Sequence, residues 1–174
     1  MHFLPLAISA VAVMASATAA AQTATAPAAN PLLADWTGPM GGVPPWDKVR
    51  PELFPQAFET TLAERVADYR KIADNPGKPT FANTIVPMQL AGKRYGQVMT
   101  LFGVMTGNMN TPAYQKLDRE WSPKFSAASD AITFDKPLFA RIQAIYDARN
   151  SSGLNAQLIR LVTRIYDSYV RQGA

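Results

Sequence analysis

The stretch FPQAFETTLAERVADYRKIADNPG, residues 54–77, decides the fold class of this 174-residue chain. Its apolar residues recur at intervals of four, four, four, three and three positions, the repeat of one face of an α-helix; they are Phe54, Phe58, Leu62, Val66, Tyr69 and Ile72. Pro55 falls in the first turn, where its missing N–H costs little. The turn residues 75–77, Asn-Pro-Gly, end the pattern. The stretch therefore predicts a long amphipathic helix that ends in a tight turn. We call the segment from this turn to the start of the next helix, residues 75–84, the joint.

The helical repeat continues to the end of the chain, without the apolar–polar alternation typical of strands. A second helix is predicted from the N-cap Thr80 to about Met105, and Pro87 either kinks it or places its start after Ile85. Three further helices are predicted, beginning at Thr111, Asp135 and Asn155. Short connections between helices favour antiparallel neighbours. We therefore predict an all-α fold of about five helices in an up-and-down bundle.

The residues before the first helix divide into a leader and a spacer. Residues 3–17 are apolar, and three alanines at 19–21 precede Gln22 in the pattern of a signal-peptidase site. We therefore predict a signal peptide at residues 1–21 and export, to the bacterial periplasm. The alternative is a retained membrane anchor, although the apolar run is short for a span and contains Pro5. Residues 22–51 are predicted to be a spacer and an extended segment held by Trp36 and Trp46, and residues 52–174 the helical domain.

The composition excludes several classes of site. The chain has no cysteine, and its one histidine is His2, inside the predicted leader. The commonest zinc, haem and copper ligands and the histidine of catalytic triads are therefore missing from the mature chain. Basic residues exceed acidic ones by 17 − 13 = 4, and the densest basic spots are isolated pairs at 70–71 and 93–94. Because nucleic-acid-binding proteins cluster such charges on one face, no nucleic-acid partner is predicted.

Two groups of side chains are candidates for acid–base catalysis or for metal binding. Glu64 and Asp68 share one face of the first helix, as an acid–base pair would, but arginines stand beside them. Three thioethers cluster in the second helix and suit either Cu(I) or gaps in a core; they are Met99, Met105 and Met109. Core packing and surface charge explain both groups.

Gly103 and Gly107 form a G-x-x-x-G motif, which dimerises helices within apolar membrane spans. Polar residues on both sides favour close packing of helices within the fold instead. No catalytic, cofactor-binding or metal-binding residue is assigned from the motifs of the chain.

A series of short phrases follows in a set order between residues 30 and 174. The phrases occupy residues 30–33, 44–49, 75–76, 79–85, 108–111, 117–118, 138–142, 153–155, 161–162 and 169–174. The most telling is PTFANTI at 79–85, where Ala82 stands in place of a more common acidic residue. The series resembles the N-terminal region of peptidyl-dipeptidases and oligopeptidases of the thimet oligopeptidase family. The dipeptidyl carboxypeptidase branch is the most similar.

The resemblance implies a large, almost entirely helical enzyme that hydrolyses short peptides. In this family a His-Glu-x-x-His helix and a downstream glutamate hold one zinc ion, and the N-terminal helices form part of the wall of a deep channel. No residue of this chain matches the zinc motif. The resemblance therefore implies zinc, short peptide substrates and a missing C-terminal catalytic part for the parent protein, and no catalytic role for a residue named here.

Two hypotheses for the function follow from the sequence. In the first, the chain is the N-terminal fragment of an exported zinc peptidase, is inactive alone, has no stable membrane span after cleavage and exposes an apolar patch where its partner is missing. In the second, it is a non-catalytic periplasmic helical module that binds or interacts with other molecules. A methionine-based copper carrier is a third and weaker idea.

Overall fold

The computed structural model describes residues 29–39 and 42–174, and this part of the chain is helical. Five helices have 12 to 22 residues and α2 has five; the helices are α1 Phe54–Ala73, α2 Val86–Leu90, α3 Lys93–Met109, α4 Pro112–Thr133, α5 Lys136–Asp147 and α6 Ala156–Arg171. Within the described ranges the only β pairing is an isolated bridge between Thr37 and Val43. The predicted all-α class is confirmed. The predicted signal peptide lies outside the described residues.

The helices begin where the capping residues predict. The side chain of Asp135 accepts a hydrogen bond from the backbone N–H of Leu138 at 2.9 Å, and that of Asn155 from Leu158 at 3.0 Å. Thr111 occupies the N-cap position of α4 without such a bond. The caps at Asp135 and Asn155 account for the agreement between the predicted and observed starts of α5 and α6.

The second predicted helix is divided into three parts. Residues Phe81–Ile85 form a π-helical turn, and α2 begins directly after it, as the alternative start after Ile85 predicts. The chain then breaks at Gly92, which has a φ of +69°, and α3 follows. A Cβ at Gly92 would lie 2.8 Å from Cγ of Arg65, so α1 approaches this turn closely.

Helix α1 is the centre of the bundle. It runs antiparallel to α3, because Phe58 meets Phe102 at 5.0 Å between ring centroids, and Arg65, almost two turns further along α1, lies over Tyr95, which precedes Phe102 on α3. It runs parallel to α4, because the ring centroids of Phe58 and Trp121 lie 5.2 Å apart and Arg65, further along α1, donates to Oγ of Ser129, further along α4, at 3.3 Å. The directions of α1, α3 and α4 are therefore up, down and up, as the short connections predict.

The buried side chains form two core clusters. The first cluster joins the N-terminal half of α1 to α3 and α4; its largest members are Phe54, Phe58, Phe102, Tyr114 and Trp121. The second cluster joins the C-terminal end of α1 to α2, α4, α5 and α6; its members include Ile72, Ile85, Leu138, Ile142 and Val162. Because α1 and α4 contribute to both, they connect the two ends of the bundle.

The N-terminal segment packs on the first cluster through only one of its two predicted anchors. Leu32 and Val49 belong to that cluster, and Trp36 packs against it. The side chain of Trp46 is 42% exposed. The segment is therefore held by Trp36 and two aliphatic residues, and Trp46 lies on the surface.

Two further predictions about packing are wrong. Val66 was expected in the core stripe of α1, but it lies on the outer face and is 37% exposed. Gly103 and Gly107 were expected at a close helix contact, but a Cβ at either position would meet nothing within 4 Å among the described residues. Helical periodicity alone does not say which part of an apolar stripe is covered.

Candidate functional site

The joint between α1 and α2 is organised around one buried side chain, that of Arg141 on α5, which is 6% exposed. Its Nη1 donates to the carbonyl oxygens of Asn75 at 2.7 Å and Gly77 at 3.0 Å. Its Nη2 donates to Oδ1 of Asn83 at 3.0 Å and its Nε to Oγ1 of Thr84 at 3.2 Å. One guanidinium therefore holds both ends of the joint, 57 to 66 residues away in sequence.

Hydrogen bonds between residues of the joint also converge on Asn83. The backbone N–H of Thr80 donates to Oδ1 of Asn83 at 2.8 Å, and the backbone N–H of Asn83 donates to Oγ1 of Thr80 at 3.1 Å. The amide Nδ2 of Asn83 donates to the carbonyl oxygen of Lys78 at 3.0 Å. This reciprocal capping satisfies donors at the start of the π-helical turn. These bonds hold the Asn83 side chain in the position in which its Oδ1 accepts from Arg141.

The four acceptors of the Arg141 guanidinium are all neutral. They are two backbone carbonyls, one amide oxygen and one hydroxyl, and no ion pair of Arg141 occurs among the described residues. A buried charge is costly to desolvate, so removing these bonds would leave an uncompensated group. The arrangement stabilises the joint and contains no nucleophile or paired acid and base.

Sequence reasoning missed the role of Arg141, although a signal was present. Arg141 stands three residues after Leu138 and four before Ile145, so it shares the apolar face of α5 with them. All three side chains are buried. A charged residue at such a position needs polar partners supplied by another element, and the polar joint at residues 75–84 supplies them.

A groove of about 400 Å³ lies beside the joint. Its apolar part includes Val86, 43% exposed, and Leu90, 67% exposed, both on α2. Asp68 and Lys71 stand at its α1 side, with Lys71 Nζ 3.7 Å from Oδ1 of Asp68. The groove is open and apolar with a charged margin, which suits contact with a polypeptide better than chemistry on one.

Residues 30–33, the first phrase of the ordered series, are hydrogen-bonded to the start of α1 and to α3. Asn30 is buried, and its Nδ2 donates to the carbonyl oxygen of Leu53 at 2.8 Å and to Oε1 of Gln56 at 3.1 Å. Arg94 on α3 donates to the carbonyl oxygen of Leu33 at 3.0 Å and pairs with Glu64. This segment is therefore part of the folded bundle.

The candidate acid–base pair does not form. Glu64 pairs with Arg94, whereas Asp68 faces Lys71 and accepts from the backbone N–H of Gly92 at 3.3 Å. Each carboxylate has its own cationic partner, as surface ion pairs have. Both belong to contacts between helices.

The methionines do not gather at one site. Met99 and Met105 pack against the first core cluster, and Met109 is 58% exposed at the end of α3. Two of the three thioethers therefore fill space at the edge of a core, as methionine commonly does.

Electrostatic shifts in the bundle come from burial of tyrosines. Burial raises the pKa of Tyr169 on α6, and the neighbouring Tyr69 raises it further. Burial also raises the pKa of Tyr95 and of Tyr114. These phenols stay protonated at neutral pH; Tyr114 belongs to the first core cluster and Tyr169 packs against the second.

The described residues do not fit a metal. In residues 29–39 and 42–174, no three His, Cys, Asp or Glu side chains lie close enough together to hold an ion. The zinc that the resemblance implies for the parent protein therefore has no ligand set in this bundle. Among the helices that the structure describes, none is long and apolar enough to cross a membrane.

The comparisons with known proteins identify the relatives of the chain. It is 32% identical over 145 residues to the dipeptidyl carboxypeptidase of Escherichia coli and 30% identical over 145 residues to that of Salmonella typhimurium. These alignments cover 83% of this chain and 21% of each relative, so the chain spans about a fifth of their length. No protein-family model matches the chain. This similarity confirms the resemblance to dipeptidyl carboxypeptidases that the ordered phrases of the sequence indicate.

Proposed function

We propose that this chain is the N-terminal part of an exported, zinc-dependent peptidyl-dipeptidase or oligopeptidase that hydrolyses short peptides. The observation that carries the proposal is the 32% identity to a dipeptidyl carboxypeptidase over 145 residues. The export step rests on the apolar leader and the alanines before Gln22. The parent enzyme would remove dipeptides from the C-termini of peptides or cut oligopeptides internally.

Within that enzyme we assign the bundle an architectural role. Arg141 joins α5 to the joint between α1 and α2, and the N-terminal segment is fastened to α1 and α3 through Asn30 and Arg94. These long-range bonds make the helices a stiff unit on which a substrate channel can be built. The open groove beside the joint is a surface for the remaining chain or for peptide.

The isolated chain should have no peptidase activity. Its described part has no cluster of metal ligands, and its full sequence has one histidine, His2. Its residues therefore have no catalytic role in this proposal. Activity of a pure 174-residue preparation would contradict this part of the proposal.

The test begins with the DNA downstream of the codon for Ala174. If the frame continues into a His-Glu-x-x-His helix, the longer product is expected to release C-terminal dipeptides from an N-blocked tetrapeptide. A C-terminally amidated tetrapeptide separates this activity from internal cleavage, and N-terminal sequencing of the exported product should begin at Gln22. A stop codon at that position, with a stable product, would favour the non-catalytic binding module instead.

A further inference from the structure

A groove of about 710 Å³ runs along the outside of the bundle between α1 and α4, and we call it the outer groove. Its α1 side consists of Glu59, Leu62, Ala63, Val66, Ala67 and Arg70. These positions are three and four residues apart, so they form one continuous stripe of the helix. Val66 is 37% exposed at its centre, and the two alanines are exposed.

The stripe is complementary to itself in the antiparallel direction. If two copies of α1 cross about a two-fold axis that passes between residues 64 and 65, position i faces position 129 − i of the other copy. Leu62 then faces Ala67, since 62 + 67 = 129, and Ala63 faces Val66, since 63 + 66 = 129. A larger side chain meets a smaller one in each layer, which lets two helices approach closely.

The charges at the ends of the stripe obey the same relation. Glu59 faces Arg70 of the other copy, since 59 + 70 = 129, and the two-fold axis makes this pair twice. Glu59 forms no ion pair among the described residues. Arg70 pairs with Asp135 at 3.0 Å and with Asp74 of its own helix at 3.7 Å, but its side chain is still 60% exposed. Both charges can therefore reach a second chain.

The α4 side of the outer groove supplies a second wall. Trp121 belongs to the first core cluster, and Nζ of Lys124 lies 3.9 Å from the centre of its ring. Ala128 continues this wall with another small side chain. A helix in the groove would therefore contact α1 and α4 together, which is the packing of a four-helix arrangement.

We propose that the outer groove binds a second copy of this chain, with the two α1 helices antiparallel about the two-fold axis. Side-chain size and charge along the α1 stripe are complementary to the same stripe read in the opposite direction. This complementarity favours a second copy of the chain over an unrelated helix. The inference goes beyond the peptidase assignment and does not depend on it.

The test uses charge reversal in the full 174-residue chain, measured by sedimentation equilibrium at several concentrations. Glu59→Arg places two arginines opposite each other at both ends of the interface, and Arg70→Glu places two glutamates there. Each variant alone is expected to raise the dissociation constant of the dimer at least about tenfold. An equimolar mixture of the two restores both attractive pairs, so it is expected to form a heterodimer with an affinity near that of the wild type.

Two variants control for non-specific effects. Asp147→Arg on α5 makes the same change of charge as Glu59→Arg at an exposed position far along the chain, and should leave association unchanged. Val66→Asp, at the centre of the stripe, should abolish the dimer and prevent rescue in the mixture. Circular dichroism of every variant confirms folding. A monomeric wild type, unchanged association of the single variants, or a mixture that gains no mass would each overturn the proposal.

Discussion

At the scale of single residues, Arg141 is the side chain on which the order of the joint depends. Its guanidinium makes four hydrogen bonds to residues 75, 77, 83 and 84 while it is almost completely buried. A lysine could not reproduce them, because an ammonium group is a single point with three donors, whereas a guanidinium is a planar fork with five. The identity of this residue, and not only its charge, is required.

We expect Arg141→Met to lower the free energy of unfolding by about 2–4 kcal/mol, because buried acceptors lose their donor. Methionine keeps the helix propensity and most of the apolar length of the side chain, so the loss reports on the hydrogen bonds. Urea denaturation measures the change. Arg164→Met is the matched control: Arg164 is exposed on α6, and its substitution should change stability by less than about 0.5 kcal/mol. Equal stability of both variants would contradict the role given to Arg141.

The phrase PTFANTI could be recognised in the sequence, but its physical role could not be predicted from it. Thr80 was expected to cap a helix, and its bond with the N–H of Asn83 confirms this local interaction. The bonds from Arg141 connect residues that are 57 to 66 positions apart, and no local pattern specifies such a distance. Local capping is therefore predictable, whereas the partner of a buried charge depends on how the helices assemble.

At the scale of secondary-structure elements, α3 contains glycines that the bundle does not require. Gly103 and Gly107 lie inside the helix, and a Cβ at either would meet no neighbouring element within 4 Å among the described residues. Glycine in a helix interior is less favourable than alanine by about 1 kcal/mol, because its unfolded backbone is more free. Gly92, at the N-cap of α3, differs because it has a φ of +69° and faces Arg65 closely.

We expect Gly103→Ala and Gly107→Ala each to raise the free energy of unfolding by about 0.5–1 kcal/mol. Gly92→Ala should lower it, because the left-handed conformation is strained for alanine and the new Cβ would stand 2.8 Å from Cγ of Arg65. Thermal and urea denaturation of the three variants give the signs directly. If either of the first two substitutions destabilises the protein, the glycine contacts something beyond the described bundle.

Helical periodicity and caps predict most of the elements, and the exceptions have a tertiary cause. The division of the second predicted helix was missed because Gly92 turns where Arg65 of α1 approaches, a contact that periodicity does not contain. Val66 continues the apolar repeat of α1 but lies in the outer groove. A repeat shows which residues share a face, and neighbouring helices determine whether that face is covered.

At the scale of the whole molecule, the long helices differ in how many of their residues are buried: six in α1 and one in α6. The first cluster contains Phe54 and Phe58, which are 0% exposed, and their rings contact several other aromatic rings. Helix α6 contributes to the second cluster with Val162 as its one fully covered residue, and its other apolar side chains are half-buried or exposed. Elements with few buried contacts open at lower free energy. The α5–α6 end should therefore unfold before the aromatic end.

Two matched valines test this order of unfolding. Val98 in the first cluster is 1% exposed and Val162 in the second is 0% exposed, so truncation of each to alanine removes a comparable buried group. Trp36 and Trp121 both lie at the first cluster, so tryptophan fluorescence follows that end, whereas far-ultraviolet circular dichroism follows all helices. In urea, we expect ellipticity to begin to fall before fluorescence changes. Val162→Ala should shift only that early loss of ellipticity to lower urea concentration, and Val98→Ala should lower the urea midpoint of the fluorescence transition. Coincident transitions in the wild type, shifted equally by both substitutions, would instead show that α1 and α4 couple the two clusters into one cooperative unit.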